Sequence, residues 1–290
     1  MKLLRVDHEM PGVAGSKARP SYARSDTPGG LSYPVTPVTD FLQAHGQNRV
    51  MNTSLATPTA EQTVGQIAAQ YPASVRVFEK YGIDFCCGGQ IAVAQVCATR
   101  GLKAEAFLAE IEQAIETPDL AGTDWFTAPL PQLVDHIVGA HHSYMKRQLP
   151  VVEARLAKVL SAHGERHGAM LRQVAEIYAA MKEELDGHLA KEEMVLFPLV
   201  KALASGAPAG SFHCGSVKNP IRVMWLEHDS AGDALRQLRE ITAGYALPAD
   251  ACTTFRVLFF ELEDMERDLH RHIHLENNIL FPRAIALEGV

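Results

Sequence analysis

The sequence predicts an all-α protein, an up-down four-helix bundle preceded by a small helical domain. Three observations predict it. Almost no segment of the 290 residues alternates apolar and polar at period two, so strands are not expected. Four long helical patterns, roughly 131–161, 167–203, 219–243 and 250–287, follow one another across short connections containing Gly164 and Gly168, Gly206 to Gly215, and Pro248. The third observation is an internal duplication. His188-Leu-Ala-Lys-Glu192-Glu-Met-Val-Leu196-Phe197-Pro198 returns as His272-Ile-His-Leu-Glu276-Asn-Asn-Ile-Leu280-Phe281-Pro282, with histidine, glutamate and a Leu-Phe-Pro stop at matching offsets.

Taken in order, residues 1–57 are rich in Pro, Gly, Ser and Thr, and Pro11, Pro28, Pro34 and Pro37 punctuate them too often for a long element. They are expected to form a disordered extension. Met51 stands beside that reading as an alternative start. Residues 58–116 read as the small helical domain. Val64, Ile67 and Ala68 fit a first helix. Pro72 opens a second that runs to Tyr81, where Gly82 caps it. Cys86-Cys87-Gly88-Gly89 makes a turn, a third helix spans Ile91 to about Thr99 before Gly101, and a fourth spans Ala104 to Ile115. Residues 117–130 are the linker, and 131–290 the bundle.

Composition narrows the function. A net charge of -7 and a pI near 6.0 argue against a nucleic-acid binder. The longest apolar runs, Val195 to Val200 and Val257 to Phe260, are too short to span a bilayer. No apolar h-region suggests secretion, and five cysteines with two adjacent do not resemble an extracellular disulfide framework. A cytoplasmic protein is the expectation.

On a helix, residues four apart share a face, so each copy of the repeat presents an imidazole beside a carboxylate. Two such helices facing each other offer ligands that suit iron or manganese better than a structural zinc. Thirteen histidines require sorting. Within His270-x-His272-x-His274 the duplication selects His272 with Glu276. It also selects Glu192 over Glu193, whose counterpart is Asn277, so that Glu193 is expected to be a solvated neighbour. One further histidine is predicted on each preceding helix: His228, 44 residues before His272, and His142, 46 before His188. His142 shares a face with Val138, Met145 and Leu149 and is preferred to His141; His141 and His136 are expected to make ordinary hydrogen bonds. The metal set is therefore His142, His188, Glu192, His228, His272 and Glu276, with two carboxylates able to bridge. His163 and His167 are set aside as loop residues and His213 as unpartnered, while His8 and His45 fall in the extension. Cys97 and Cys252 are expected to be small buried thiols.

Two readings of Cys86-Cys87 stand side by side. One is a redox or metal-transfer dithiol whose thiol pKa a helix N-terminus lowers. The other is tight packing beside a Gly-Gly turn.

The assembled motifs resemble the iron–sulfur cluster repair di-iron protein family (RIC; YtfE, ScdA and DnrN type) over about 62–287. The resemblance is carried by Lys80-Tyr-Gly-Ile-Asp-Phe-Cys-Cys-Gly-Gly89, Glu183-Glu184-Leu-Asp-Gly-His188, Lys191-Glu192-Glu193, Glu227-His228-Asp229 and Leu275-Glu276-Asn277-Asn278 with Leu280-Phe-Pro282. It implies an N-terminal Cys-Cys domain and a hemerythrin-like domain. The six residues would bind two non-haem irons, oxo-bridged and bridged by Glu192 and Glu276, with Glu184 and Glu227 as acidic neighbours guiding iron. Oxygen-carrying hemerythrins are richer in histidine ligands, so dioxygen transport is disfavoured. The implied function is a stress-response repair of iron–sulfur clusters damaged by nitric oxide or peroxide, with the damaged iron–sulfur proteins as partners. Reduction of nitric oxide to nitrous oxide, or non-catalytic binding or sensing of nitric oxide or oxygen, needs the same ligands. Oligomeric state stays open, a homodimer included.

Overall fold

The computed structural model describes residues 57–116, 123–208 and 213–289. Nearly all of the expected extension, with His8, His45 and Met51, and the first part of the linker lie outside them.

The small domain opens with α1 (Val64–Gln70), whose N-terminus is closed by a reciprocal capping box between Thr63 and Gln66. A 3-10 turn, Pro72–Ser74, leads into α2 (Val75–Lys80), and Gly82, at φ 59°, ends it. The third helix, α3 (Val93–Arg100), begins two residues later than the sequence suggests. Ala92 is extended there because it pairs with Thr63 in an isolated antiparallel bridge, where Val64 N–H donates to Ile91 and Val93 N–H to Gln62. The last helix is α4 (Ala104–Glu116). Val64, Ile67, Phe78, Phe85, Val93, Phe107 and Ile111 fill the core between them.

Residues 130–208 and 213–289 form the four-helix bundle. Its first two arms comprise α5 (Leu130–His136), a π-helical segment Ile137–His142, α6 (Ser143–Lys191), a second π segment Glu192–Leu196, and α7 (Phe197–Ala204). The third arm is α8 (Lys218–Ile241). The fourth is α9 (Thr253–Leu275), a third π segment Glu276–Leu280, and α10 (Phe281–Glu288).

The sequence predicts a loop around Gly164 and Gly168, yet helical backbone is unbroken through α6. A straight helix of that length would reach ~73 Å and would part Leu149 from Tyr178 by ~43 Å. Instead Tyr178 Oη donates to the Leu149 carbonyl at 2.9 Å, so the chain reverses between them. Neither glycine takes a positive φ there.

All four arms run antiparallel to their neighbours. Lys146 Nζ pairs with Glu193 at 2.6 Å between the first two arms, and Arg239 grips Glu266 with bonds of 2.9 and 3.0 Å between the last two. Arg155 bonds Glu261 across the first and fourth. Apolar packing divides into two bodies. One contains Met145, Leu149, Tyr178, Phe255 and Met265; the other contains Leu133, Phe197, Val200, Ile221 and Phe281. Between them lies a polar layer.

The Leu-Phe-Pro segments are not stops. Pro198 and Pro282 occupy the first turn of α7 and α10, immediately after a π segment. A proline lacks the N–H that a first turn leaves unused, so helical backbone resumes through it without the usual penalty.

Candidate metal centre

All three π segments fall at residues the repeat selects. One ends on His142, and the other two begin on Glu192 and Glu276. A π segment inserts one residue into the helical register and so re-aims a side chain relative to the turn before it. Periodicity of 3.6 cannot reveal such an insertion.

His142, His188, Glu192, His228, His272 and Glu276 all converge, and all are buried. They form two overlapping groups, His142–Glu192–His272–Glu276 and His188–Glu192–His228–Glu276, so both carboxylates belong to both. His142 Nε2 faces His272 Nε2 at 3.2 Å, and His188 Nε2 faces His228 Nε2 at 3.2 Å. Glu192 Oε2 lies 3.3 Å from His142 Nε2 and 3.4 Å from His188 Nε2. Glu276 presents Oε2 to His228 and Oε1 to His272, each at 3.1 Å.

The outer edges of the imidazoles fix which nitrogen points inward. His142 Nδ1 donates to Glu193 Oε1 at 2.8 Å, His188 Nδ1 to Glu227 Oε2 at 2.9 Å, and His228 Nδ1 to Asn277 Oδ1 at 2.8 Å. A carboxylate only accepts, so Nδ1 carries the proton and Nε2 offers its lone pair inward. Between His188 and His228 a lone pair therefore meets a lone pair at 3.2 Å, beside two carboxylates. Among the described residues, all four oxygens of Glu192 and Glu276 lack a hydrogen-bond donor. Unpaired buried carboxylates are costly, and burial together with the neighbouring Glu276 pushes the Glu192 carboxyl well upward. Cations on the two groups remove both conflicts. The donor set, nitrogen plus carboxylate oxygen with no sulfur, fits iron or manganese.

Phe197 covers the His142 ring at 5.4 Å, and Phe281 lies parallel to the His228 ring at 5.8 Å. The phenylalanine of each Leu-Phe-Pro thus backs the histidine of an earlier arm and keeps water from it.

Several sequence expectations change here. Glu193 is not a solvated spectator; it is half-buried, orients His142 and pairs with Lys146. Asn277 does the same for His228. The repeat carried this signal, because the residue after each selected glutamate is an acceptor in both copies. Glu227 contacts His188 and also Lys191, and its carboxyl is held down to about 2, chiefly by the His188 hydrogen bond. Glu184 accepts from Ser230 at 2.8 Å and joins Glu227, His188 and His228 in lining a small pocket. His141 is buried, bonds Asp268 at 3.0 Å and stacks parallel on His272, while His136 stacks on Trp125. His270 and His274 pack their rings against Phe85.

Cys86 and Cys87 are not at a helix N-terminus, since α3 starts only at Val93. Both thiols are pushed up rather than down. For Cys86 the causes are its hydrogen bond to Cys87, burial and Asp84. For Cys87 the Cys86 contact pulls downward, but burial and the charges of Asp84, Asp229 and Asp233 outweigh it. Cys97 is buried as expected; Cys252 is not. It is exposed at the start of α9, 3.1 Å from His163 Nε2, and the Phe255 N–H and that imidazole lower it to about 7.

A bundle with two buried histidine–glutamate groups sharing their carboxylates defines a metal-binding helical protein. Residues 133–284 match the Hemerythrin HHE cation binding domain, and residues 60–115 match ScdA_N, a domain of unknown function (DUF542). The chain is 36% identical to the iron-sulfur cluster repair protein YtfE of Citrobacter koseri over 228 residues, covering 79% of this chain and 98% of that protein. It is 35% identical to the same protein of Cronobacter sakazakii and 34% identical to that of an Escherichia coli strain, with the same coverage. The chain belongs to the YtfE family of iron–sulfur cluster repair proteins. Among the described residues no helix is long and apolar enough to cross a membrane.

Proposed function

We propose that this protein repairs iron–sulfur clusters damaged by nitrosative or oxidative stress, supplying iron from a di-iron centre in the bundle. His142 and His272 would hold one ion, His188 and His228 the other, with Glu192 and Glu276 bridging. The observation that carries this reading is the pair of shared, donor-less carboxylates between two facing imidazole pairs. When bound, ferrous iron supplies the metal that a degraded cluster lacks.

The chain's own residues do the rest. Glu193, Glu227 and Asn277 hold three imidazoles with Nε2 inward. Phe197 and Phe281 exclude water from the outer ring faces. Glu184 and Glu227 offer carboxylates on the pocket beside His188, a path for a cation between solvent and centre. The small domain, residues 58–116, brings Cys86 and Cys87 against this centre, with Cys87 Sγ 3.4 Å from the His228 carbonyl, and would receive the client.

The test is anaerobic reconstitution with ferrous iron, followed by incubation with a nitric-oxide-damaged [4Fe–4S] enzyme. Two irons per chain and recovery of that enzyme's activity are expected. Fewer than about one iron per chain would overturn the metal centre. Nitrous oxide formed over many turnovers, without recovery of the enzyme, would replace repair by nitric oxide reduction.

A further inference from the structure

The loop between α2 and α3 holds a second constellation of metal-ligating atoms. A carboxylate oxygen of Asp84, Cys86 Sγ and Cys87 Sγ lie within 4.8 Å of one another. Cys86 Sγ is 3.3 Å from Asp84 Oδ1 and 3.8 Å from Cys87 Sγ. Two sulfurs on a tetrahedral cation with bonds of about 2.3 Å sit ~3.8 Å apart, so these thiols already have the spacing of chelating ligands. The Cys87 thiol donates to the His228 carbonyl oxygen at 3.4 Å, which sets that oxygen beside the three-atom cage.

The cage is rigidly built. Asp84 Oδ1 accepts from the Cys86 and Cys87 N–H groups at 2.9 and 3.0 Å, fixing the turn. Asn278 Nδ2 donates to the Phe85 carbonyl at 2.9 Å, and Asn277 Nδ2 to the Cys86 carbonyl at 3.4 Å. Gly232 faces Cys87 with no side chain; a Cβ there would meet Cys87 Sγ at 3.2 Å. Asp229 and Asp233 add negative charge near Cys87, a field that favours a cation. Asn277 also accepts from His228 Nδ1, so one amide links this cage to the bundle centre.

We propose that Asp84, Cys86 and Cys87 form a further metal site, distinct from the six-residue centre, for a thiophilic divalent cation such as ferrous iron. Binding exchanges two S–H protons for two metal–sulfur bonds, and both protons leave to solvent. No oxidant or reductant is needed. The site's role as a relay between the centre and a client rests on the function proposed above; its existence rests on its own geometry.

Cobalt(II), titrated anaerobically into the metal-free full chain, tests it. Wild-type protein is expected to bind three equivalents, one of them giving a near-ultraviolet thiolate-to-cobalt absorption. The double variant Cys86→Ser, Cys87→Ser should bind two and lose that band, the two retained equivalents showing that it is folded. Asp84→Asn should weaken only the sulfur-bound equivalent, by at least tenfold. A wild-type titration that ends at two equivalents without the band overturns the proposal, as does a band that survives the double variant. The variant Glu192→Gln, Glu276→Gln separates the two readings. Keeping the band after loss of the other equivalents supports an independent site; losing the band with them overturns it. A wild type that binds one sulfur-ligated ion alone would instead fail the bundle centre and leave this site standing.

Discussion

Glu193 Oε1 accepts the Nδ1 proton of His142 at 2.8 Å, and one repeat later Asn277 Oδ1 accepts that of His228 at the same distance. The geometry is shared and the charge is not, so orientation rather than charge is the common requirement. Glu193→Gln is expected to keep metal affinity within a few-fold of wild type. Glu193→Leu removes the acceptor and should weaken binding by roughly 10–100-fold, the range for partners of ligating histidines. Competition against a calibrated chelator reads both.

The two halves differ in a second respect. His188 and His228 each have an outward acceptor, whereas His272 Nδ1 has none among the described residues. An imidazole without such a partner is less basic and less firmly oriented. Metal removal by excess chelator should therefore be biphasic, with the ion proposed for His142 and His272 leaving first. Glu227→Ala with Asn277→Ala should bring the slow phase toward the fast one. A single phase in wild-type protein would show the halves to be equivalent.

His163 and Cys252 give a pH-dependent reactivity far from the metal layer. The Cys252 thiol titrates at about 7, so its thiolate forms as pH rises through neutrality. Cys86 and Cys87 are pushed the other way and stay protonated there. Iodoacetamide labelling mapped by mass spectrometry should rise at Cys252 between about pH 6 and 8, with the other two lagging until well above that. His163→Ala should move the Cys252 midpoint upward, because the imidazole's hydrogen bond no longer stabilises the thiolate.

What the sequence reveals about this site follows from how local each signal is. The four arms and the histidine–glutamate pairs His188/Glu192 and His272/Glu276 repeat at fixed helical offsets, and an offset is visible in one dimension. His142 and His228 were reached by the same ruler. The π segments were not, because one inserted residue leaves apolar periodicity nearly unchanged on either side. The reversal inside α6 is legible at Gly164 and Gly168; that helical backbone rather than a loop carries it is not. The raised thiols of Cys86 and Cys87 depend on Asp84, Asp229 and Asp233 meeting in space, and two of those lie on α8. Cys252 is exposed rather than buried because apolar neighbours in sequence do not fix which face of a helix start is covered.

Gly65 and Gly89 hold the cysteine loop against the bundle by having no side chains. A Cβ on Gly65 would collide with Asn278 Oδ1 and come within 2.9 Å of the Gly89 carbonyl, and Gly65 N–H donates to that carbonyl at 2.7 Å. The Asn278 amide could yield only by giving up its bond to the Phe85 carbonyl, which fixes the turn bearing Asp84, Cys86 and Cys87. The Gly89 backbone cannot yield at all without moving that turn. Gly65→Ala is therefore expected to destabilise the protein by about 1–3 kcal/mol, as overpacking of a tight contact does. Urea denaturation would measure that loss. Gly139→Ala, at a position where a Cβ meets nothing within 4 Å, supplies the control and should cost far less. Asn277 stands between this loop and His228, so Gly65→Ala should retain the metal of the six-residue centre while its cysteine labelling accelerates. Loss of metal in step with loss of stability would show that the loop and the centre are one cooperative unit instead.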